Sequence, residues 1–422
     1  MHICIIEDDS SRNFYPLAYL RPVYDLRCGV FTLREKILAH LAPSGYSMVV
    51  RPMLSSLVSE ENPGVPVNTL PNHGKDTLFL NGRVIMNREI ARILRKEKGE
   101  VLFTSGKSVV GLRTTREVPS HLRGTPASLL SPDHTAGFIR RVELEVTLAE
   151  YPWDLLYANG DEIVRDAGIV QPARRKRGSA ARIHKSVVFI RRTRIRVGDK
   201  SVLGAGVVLD ASEGPILIGT GVIVQPHAVI QGPASIGDGT LVKSGTRINP
   251  HTTVGPVCKV AGEIEHSIIQ GYANKAHEGY LGHSFLGSWV NLGAGTTTSN
   301  LKNTYGTVKA LVNGRSVDSG KMFLGLTAGD HVKTGINATL DTGTMIGVSS
   351  NIFGTELPPK YVPSFSWGSG RTLVPYDLSR ALLVADRVMA RRSVPCTEAY
   401  SNLLKDIFRM TLHERAGDTA TV

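Results

Sequence analysis

The chain has 422 residues, and its 49 Lys and Arg against 37 Asp and Glu give a formal charge of +12. Hydrophobic residues make up 41% of it, which excludes a disordered chain, and no apolar run of about 18 residues indicates a membrane span. The charge is concentrated, because Arg174 to Arg196 contains ten basic and no acidic residues. Since part of this stretch is a predicted linker, we expect no nucleic-acid partner.

The cysteines and the first residues bear on location. Four cysteines are scattered without a C-x-x-C pair, and the first residues turn acidic without the basic start of a signal peptide. We therefore expect a cytoplasmic chain.

Residues 1–170 alternate between apolar strand patterns and helical patterns. Strands are predicted at 2–6, 77–80, 101–104 and 109–112, and helices at 33–41 and 88–96. Such alternation is typical of an α/β domain. The first strand is followed by an irregular segment, residues 7–32, and a loop of that length is usually functional or disordered.

Residues 171–182 contain Pro, Gly, Ser and like charges, and we predict a basic linker there. Residues 183–355 then carry aliphatic side chains at a spacing of six. The uninterrupted series is Ile218, Val224, Ile230, Ile236, Val242, Ile248 and Val254. A hexapeptide repeat indicates a parallel β-helix whose aliphatic positions point inward. The phase is lost between Val254 and Ile268, where we expect an inserted loop, and it resumes weakly through residues such as Ile336.

Residues 356–422 form a predicted tail with two amphipathic helices over 378–410. Apolar residues of the second helix recur at Tyr400, Leu403, Leu404, Ile407 and Phe408. We expect these helices to pack on the body as a cap or an oligomer contact, with a partner-binding helix as the alternative.

A motif within the repeat points to chemistry. Asn274-Lys-Ala-His277-Glu-Gly-Tyr280-Leu-Gly282 is followed by Val290-Asn291-Leu-Gly-Ala-Gly-Thr and then by Asn300. This stretch resembles the acetyltransferase half of the bifunctional glucosamine-1-phosphate N-acetyltransferase / N-acetylglucosamine-1-phosphate uridyltransferase family, with one residue missing before His277. The resemblance implies a left-handed β-helix that forms homotrimers and uses acetyl-CoA.

The resemblance also implies roles for individual residues. His277 would be the base that takes the proton of the sugar amine, because an imidazole titrates near neutral pH, at about 6.5. Substrate contacts are expected from Tyr280, Asn291, Lys275 and Lys259. Acetyl-CoA contacts are expected from Asn300 and Lys302.

The N-terminal part lacks the Gly-rich phosphate loop that sugar nucleotidyltransferases place after their first strand. Its segment from Arg21 to Lys36 instead resembles a divergent bacterial group of sugar nucleotidyltransferase-like proteins fused to the same β-helix. We expect Arg12, Arg21, Lys36 and Asn81 to bind nucleotide, although cations of this loop could equally pair with its own carboxylates. Asn159 and Asp161 are the candidates for a Mg²⁺ site.

These observations predict an α/β nucleotidyltransferase-like domain followed by a β-helix and C-terminal helices. The expected function is acetyl transfer from acetyl-CoA to glucosamine 1-phosphate, with uridylyl transfer from UTP to the acetylated sugar phosphate. Two alternatives stay open. The N-terminal domain would bind a nucleotide sugar without catalysis, or the β-helix would be a binding or scaffold protein without catalysis.

Overall fold

The computed structural model describes residues 1–70, 76–116, 130, 140–170, 180–370 and 372–415. Most of the predicted basic linker, residues 171–179, lies outside these ranges. In the described part of the chain, no helix is both long and apolar enough to cross a membrane.

The N-terminal domain is an α/β layer built on a six-stranded sheet in the order β4-β1-β5-β7-β6-β8. Its strands, with a small β2–β3 hairpin, are β1 (His2–Ile6), β2 (Arg27–Cys28), β3 (Phe31–Thr32), β4 (Gly45–Val49), β5 (Thr77–Asn81), β6 (Val101–Ser105), β7 (Ser108–Thr114) and β8 (Arg141–Glu143). Strand β1 is buried along its whole length between two parallel neighbours, which explains its continuous apolar run.

The N-terminal domain also contains the helices α1 (Leu33–Leu41), α2 (Ser55–Glu61), α3 (Arg88–Lys96) and α4 (Pro152–Asp166). Short 3-10 helices cover Asp9–Phe14, Val23–Asp25 and Pro52–Leu54. Thr32 and Glu35 form a capping box that starts α1, and the Asn87 side chain caps α3. The predicted helices at 33–41 and 88–96 are confirmed.

The hexapeptide region forms a parallel β-solenoid, as predicted, and its strands lie in three sheets. The first sheet contains Val188–Ile190, Val208–Asp210, Val229–Gln231, Arg247–Ile248, Glu263–Glu265 and Tyr280–Gly282, with Thr297–Thr298 and Thr339–Leu340 paired separately above it. The second contains Ile195–Val197, Ile216–Ile218, Ala234–Ile236, Thr252–Val254, Ile268–Ile269, Phe285–Leu286, Thr327–Ala328, Met345–Ile346 and Tyr361–Val362.

The third sheet is the one that carries the motif. It contains Arg182–Ile183, Val202–Leu203, Ile223–Val224, Leu241–Val242, Lys259–Val260, Asn274–Lys275, Lys333–Thr334, Asn351–Ile352, Ser366–Ser369 and Thr372–Pro375. Asn291 joins its lower and upper parts through single β-bridges to Asn274 and Lys333. All seven aliphatic side chains of the predicted series, from Ile218 to Val254, are buried in one inner core.

Three details of the predicted repeat are wrong. The phase break after Val254 is a shortening, because the next buried aliphatics, Val260, Ile264 and Ile269, are spaced by four and five residues. The insertion instead lies further on, as a hairpin of Lys309–Val312 and Arg315–Asp318. Ile336 is 72% exposed and faces outward. The solenoid strands also continue past the predicted boundary at residue 355.

The two predicted C-terminal helices are present as α5 (Leu378–Ala390) and α6 (Glu398–Met410), followed by the short α7 (Leu412–Arg415). Leu403, Leu404 and Ile407 are buried in the same apolar cluster as the core of the N-terminal domain and the outer side of the solenoid. The helices therefore cover the body, as expected from their apolar stripes.

The two domains meet along the irregular segment 7–32 and along α4. Arg27 donates to the Gln270 side chain and backbone, and Tyr157 of α4 donates to the carbonyl of Phe323 at 2.7 Å. The long segment that the sequence predicts to be functional or disordered is thus ordered, and part of it contacts the solenoid.

Candidate active site

The turn that carries His277 is held by two lysines from the solenoid. The Lys243 ammonium donates to the carbonyl of Ala276 at 3.0 Å, and Lys275 Nζ donates to the carbonyl of His277 at 2.9 Å. The His277 side chain itself is exposed. A fixed backbone with a free imidazole suits a group that must exchange protons with a bound ligand.

Lys275 occupies an inward position, in register with the buried Val260. Its ammonium also donates to the carbonyl of Ala261 at 2.9 Å. Burial lowers the pKa of Lys275 to about 8, against a small opposing effect of Glu278. Since the side chain is 2% exposed, its position fits support of the His277 turn better than the predicted direct contact with substrate.

Tyr280 and Asn300, twenty residues apart, are brought into direct contact. Asn300 Nδ2 donates to the Tyr280 hydroxyl at 2.9 Å, and that hydroxyl donates to Glu265 Oε2 at 2.8 Å. Burial, followed by the hydrogen bond to Glu265, raises the pKa of Tyr280. Asn300 Nδ2 also lies 2.9 Å from His283 Nδ1. Tyr280 and Asn300 of the motif thus form one polar network with Glu265 and His283.

His283 belongs to a stack of three imidazoles, which we call the histidine ladder: His251, His266 and His283. Their ring centroids are 5.0 and 4.4 Å apart, and Tyr157 of α4 packs against the middle ring at 5.3 Å. Burial and the neighbouring rings lower the pKa of His266 to about 3, and burial lowers that of His283 to about 4. His266 and His283 are therefore neutral at pH 7.

The outer face of the third sheet carries a column of four side chains in register. Lys259, Asn274, Asn291 and Lys333 follow one another from coil to coil, and Asn291 is exposed. Of the predicted substrate residues, Lys259 and Asn291 lie on this column, one coil to either side of Asn274.

Lys302 lines a cleft of about 340 Å³ together with Ser299, Asn303, Asp341, Thr342 and Lys360. Its ammonium donates to the carbonyl of Thr307 at 2.6 Å. The cleft adjoins Asn300 along the chain, so the two residues predicted to contact acetyl-CoA are neighbours.

In the N-terminal domain, Asn81 lies at the carboxyl end of β5, beside the end of β1. Its amide donates to Asp8 Oδ2 at 2.8 Å, and Arg83 donates to both Asp8 oxygens at 2.8 and 2.6 Å. Arg12 is exposed in the segment that follows β1. An arginine thus faces the carboxylate where a metal-dependent site would need a free one.

Two further residues predicted to bind nucleotide are engaged in the interior. Arg21 forms a bidentate ion pair with Asp330 of the solenoid and donates to Ser288 at 3.1 Å. Lys36 is fully buried and lies 2.7 Å from Glu162 and 2.5 Å from Asp166 of α4. Both cations thus already pair with carboxylates of the protein, and their contact with a nucleotide stays a prediction.

The residues predicted for Mg²⁺ do not fit the ion. Asn159 is buried in α4, where its carbonyl accepts from Gly29 and Thr253 and its amide donates to the carbonyl of His251. Asp161 is exposed on the same helix. Within the described ranges, no group of three or more His, Cys, Asp or Glu side chains is arranged to hold a metal ion. The asparagine links the two domains instead.

Residues 3–175 match the family model of sugar nucleotidyl transferases. A bifunctional sugar-1-phosphate nucleotidylyltransferase/acetyltransferase of Sulfurisphaera tokodaii is 32% identical over 150 residues, which cover 31% of this chain and 37% of the relative. A bifunctional protein GlmU of Synechococcus strain CC9311 is 33% identical over 178 residues, or 42% and 34% of the two chains.

The chain thus spans about a third of the length of these curated relatives. Among solved structures, a UDP-N-acetylglucosamine acyltransferase from Campylobacter jejuni aligns with 57% of this chain and 86% of its own, at 12% identity and a TM-score of 0.25. The resemblance to bifunctional nucleotidyltransferase/acetyltransferase proteins is confirmed at this modest identity.

Sequence reasoning missed Glu265 and His283 as partners of the site. Glu265 falls where the hexad is shortened, so the six-residue period gave it no position. His283 and the rest of the histidine ladder share a left-handed backbone, with φ between 43° and 60°. A non-glycine residue in that region is uncommon, and no periodic pattern in the sequence marks it.

Proposed function

We propose that the chain is a transferase of amino-sugar nucleotide synthesis. The solenoid transfers the acetyl group of acetyl-CoA to the amine of glucosamine 1-phosphate, and the N-terminal domain transfers a uridylyl group from UTP to the product. The main support for the acetyl transfer is the hydrogen-bonded network of Glu265, Tyr280 and Asn300, with the exposed His277 three residues before Tyr280. The match of residues 3–175 to the sugar nucleotidyl transferase model supports the second reaction.

In the acetyl transfer, the neutral amine attacks the thioester carbonyl of acetyl-CoA and the C–S bond breaks. His277 takes the proton that the amine loses, and the thiolate of CoA leaves. Tyr280 and Asn291 hold the amino sugar, while Asn300 and Lys302 hold acetyl-CoA. In the uridylyl transfer, a phosphate oxygen of the sugar attacks the α-phosphorus of UTP and pyrophosphate leaves.

A second candidate function retains the acetyl transfer and makes the N-terminal domain a binding module for a nucleotide sugar. The ion pairs of Arg21 and Lys36 and the poor fit of Asn159 to Mg²⁺ favour this reading. Both versions place the protein in the cytoplasm as a homotrimer, the assembly that the resemblance implies. Light scattering of the purified chain measures that assembly.

Two assays on the full chain test the proposal. Thiol release from acetyl-CoA with glucosamine 1-phosphate reports the first reaction, and pyrophosphate release from UTP with N-acetylglucosamine 1-phosphate reports the second. Turnover in both supports the bifunctional enzyme. Thiol release without pyrophosphate release from any nucleoside triphosphate selects the binding-module version, and absence of both leaves the solenoid as a scaffold.

A further inference from the structure

The C-terminal segment reaches the face of the solenoid that carries the proposed substrate residues. Arg392, two residues after α5, donates from Nη2 to Asn274 Oδ1 at 2.9 Å. Asn274 faces outward because its neighbour Lys275 points into the coil. A cation from the end of the chain is thereby placed on the column of the third sheet.

The surroundings of Arg392 suit an anion. Asn274 is flanked in register by Lys259 on one side and Asn291 on the other, at the spacing between strands of about 4.8 Å. Lys333 follows Asn291 on the next coil. These four positions hold cations and amides and no carboxylate. Among the described residues, none forms an ion pair with Arg392 through a carboxylate within 4.0 Å.

The segment that carries Arg392 is fixed in place. The backbone N–H of Arg392 donates to the carbonyl of Met389 at 2.9 Å, so it continues the end of α5. The hydroxyl of Tyr400 in α6 lies 2.8 Å from Nε2 of the buried His331 in the solenoid. Arg392 therefore needs little ordering before it can bind a ligand.

We propose that Arg392 binds the phosphate of the sugar phosphate on this column, beside Asn291. The inference rests on the proposed acetyl transfer. His277 follows Asn274 by three residues, at the bend after the strand Asn274–Lys275, so the two positions belong to one corner of the solenoid. The phosphate lies against Arg392, Lys259 and Asn291 while the amine on the adjacent ring carbon faces the His277 turn. A guanidinium with five N–H donors keeps enough of them for phosphate after one bond to Asn274.

Kinetics of the full chain with two acceptors test this assignment. For glucosamine 1-phosphate, we expect Arg392→Gln to raise KM by about tenfold or more with kcat within about twofold, because a charged hydrogen bond to phosphate is lost. For glucosamine, which keeps the amine and lacks the phosphate, the variant and the unmodified chain should be equal. Arg392→Lys should restore part of the affinity, since it keeps the charge without the planar fork.

Arg391→Gln is the matched control, because Arg391 is the exposed neighbour with the same charge. Calorimetric titration of glucosamine 1-phosphate without acetyl-CoA gives a readout that needs no turnover. Equal affinity of R392Q, R391Q and the unmodified chain overturns the assignment, as does an equal loss with both acceptors or no binding at all. A failure of the proposed function gives a different result: the unmodified chain binds glucosamine 1-phosphate but releases no thiol from acetyl-CoA.

Discussion

Tyr280 and Asn300 show at the scale of single residues what the solenoid does for the site. They are separated by a whole coil in sequence, yet their side chains touch because equivalent positions of successive coils stack. His277 sits on the turn just before Tyr280, with its backbone held by Lys243 and Lys275 and its ring exposed. The chemistry of the motif thus depends on stacking rather than on neighbouring positions in sequence.

Replacing His277 by Asn should abolish most of the acetyl transfer. We expect kcat to fall about 10²- to 10³-fold with KM little changed, because a general base contributes in that range. The measurement is steady-state thiol release from acetyl-CoA. His227→Asn serves as the control, since His227 is also an exposed histidine on an earlier solenoid turn. Full activity in H277N would show that another residue acts as the base.

Because of Lys275, the free energy of unfolding should depend on pH in the alkaline range. Its folded pKa of about 8 lies below the ordinary 10.5, so between these values the unfolded chain binds more protons than the folded one. The free energy of unfolding of the unmodified chain should therefore rise, relative to Lys275→Met, as the pH increases from 8 to 10.5. Below pH 8 the difference between the two proteins should be constant. Denaturant unfolding across this range measures it, and a flat difference throughout would show that Lys275 titrates normally.

Helix α4 is the element that joins the domains. Asn159 bonds to both domains, Tyr157 packs on the histidine ladder, and Gly160 lies against His251. A Cβ added at Gly160 would meet His251 Nδ1 at 1.8 Å. The glycine therefore allows a helix and a solenoid corner to approach closely.

Gly160→Ala should destabilise the protein, although alanine normally favours a helix over glycine by about 1 kcal/mol. We expect a net loss of about 1–3 kcal/mol, because the helix or the His251 ring must move. Chemical denaturation measures the loss. Gly168→Ala is the comparison, since the added methyl group there meets nothing nearer than 3.3 Å. A stabilised G160A would show that α4 can shift away from the ladder at no cost.

Regular elements were the predictable part of this fold. The spacing of apolar residues in the sequence predicts strand β1, helices α1 and α3, and the inward positions of the hexads. The structure has these elements where the sequence predicts them. Asn159 shows what local patterns cannot predict. The sequence shows that the residue is polar, but not that its side chain accepts hydrogen bonds from Gly29 and Thr253. The sequence likewise does not show the carboxylate partners of Arg21 and Lys36, which lie 309 and 126 residues away.

Across the whole molecule, the ion pair of Arg21 with Asp330 ties the N-terminal domain to the solenoid. Asp330 is 1% exposed, and its Oδ1 also accepts from the backbone N–H of Ser288. Arg21→Met leaves that carboxylate without its cation, and we expect a loss of about 3 kcal/mol in the free energy of unfolding. The double variant Arg21→Met, Asp330→Leu should recover part of it, because no unpaired charge is left buried.

Equilibrium unfolding of the two single variants and the double variant gives the coupling energy directly. The increase in unfolding temperature caused by UTP, compared between R21M and the unmodified chain, separates the structural role of Arg21 from its predicted nucleotide contact. If R21M is as stable as the unmodified chain but no longer binds UTP, Arg21 contacts the nucleotide as predicted from the sequence.

The apolar core of the N-terminal domain also contains side chains from the far part of the sequence. Phe14 and Leu54 share one cluster with Leu404 and Ile407, and the Tyr19 hydroxyl donates to Glu414 at 3.3 Å. During synthesis, the first domain leaves the ribosome long before the residues that complete its core have been made. We expect ribosome-bound intermediates lacking α6 to leave that apolar surface open and to depend on chaperones until the last helices are released.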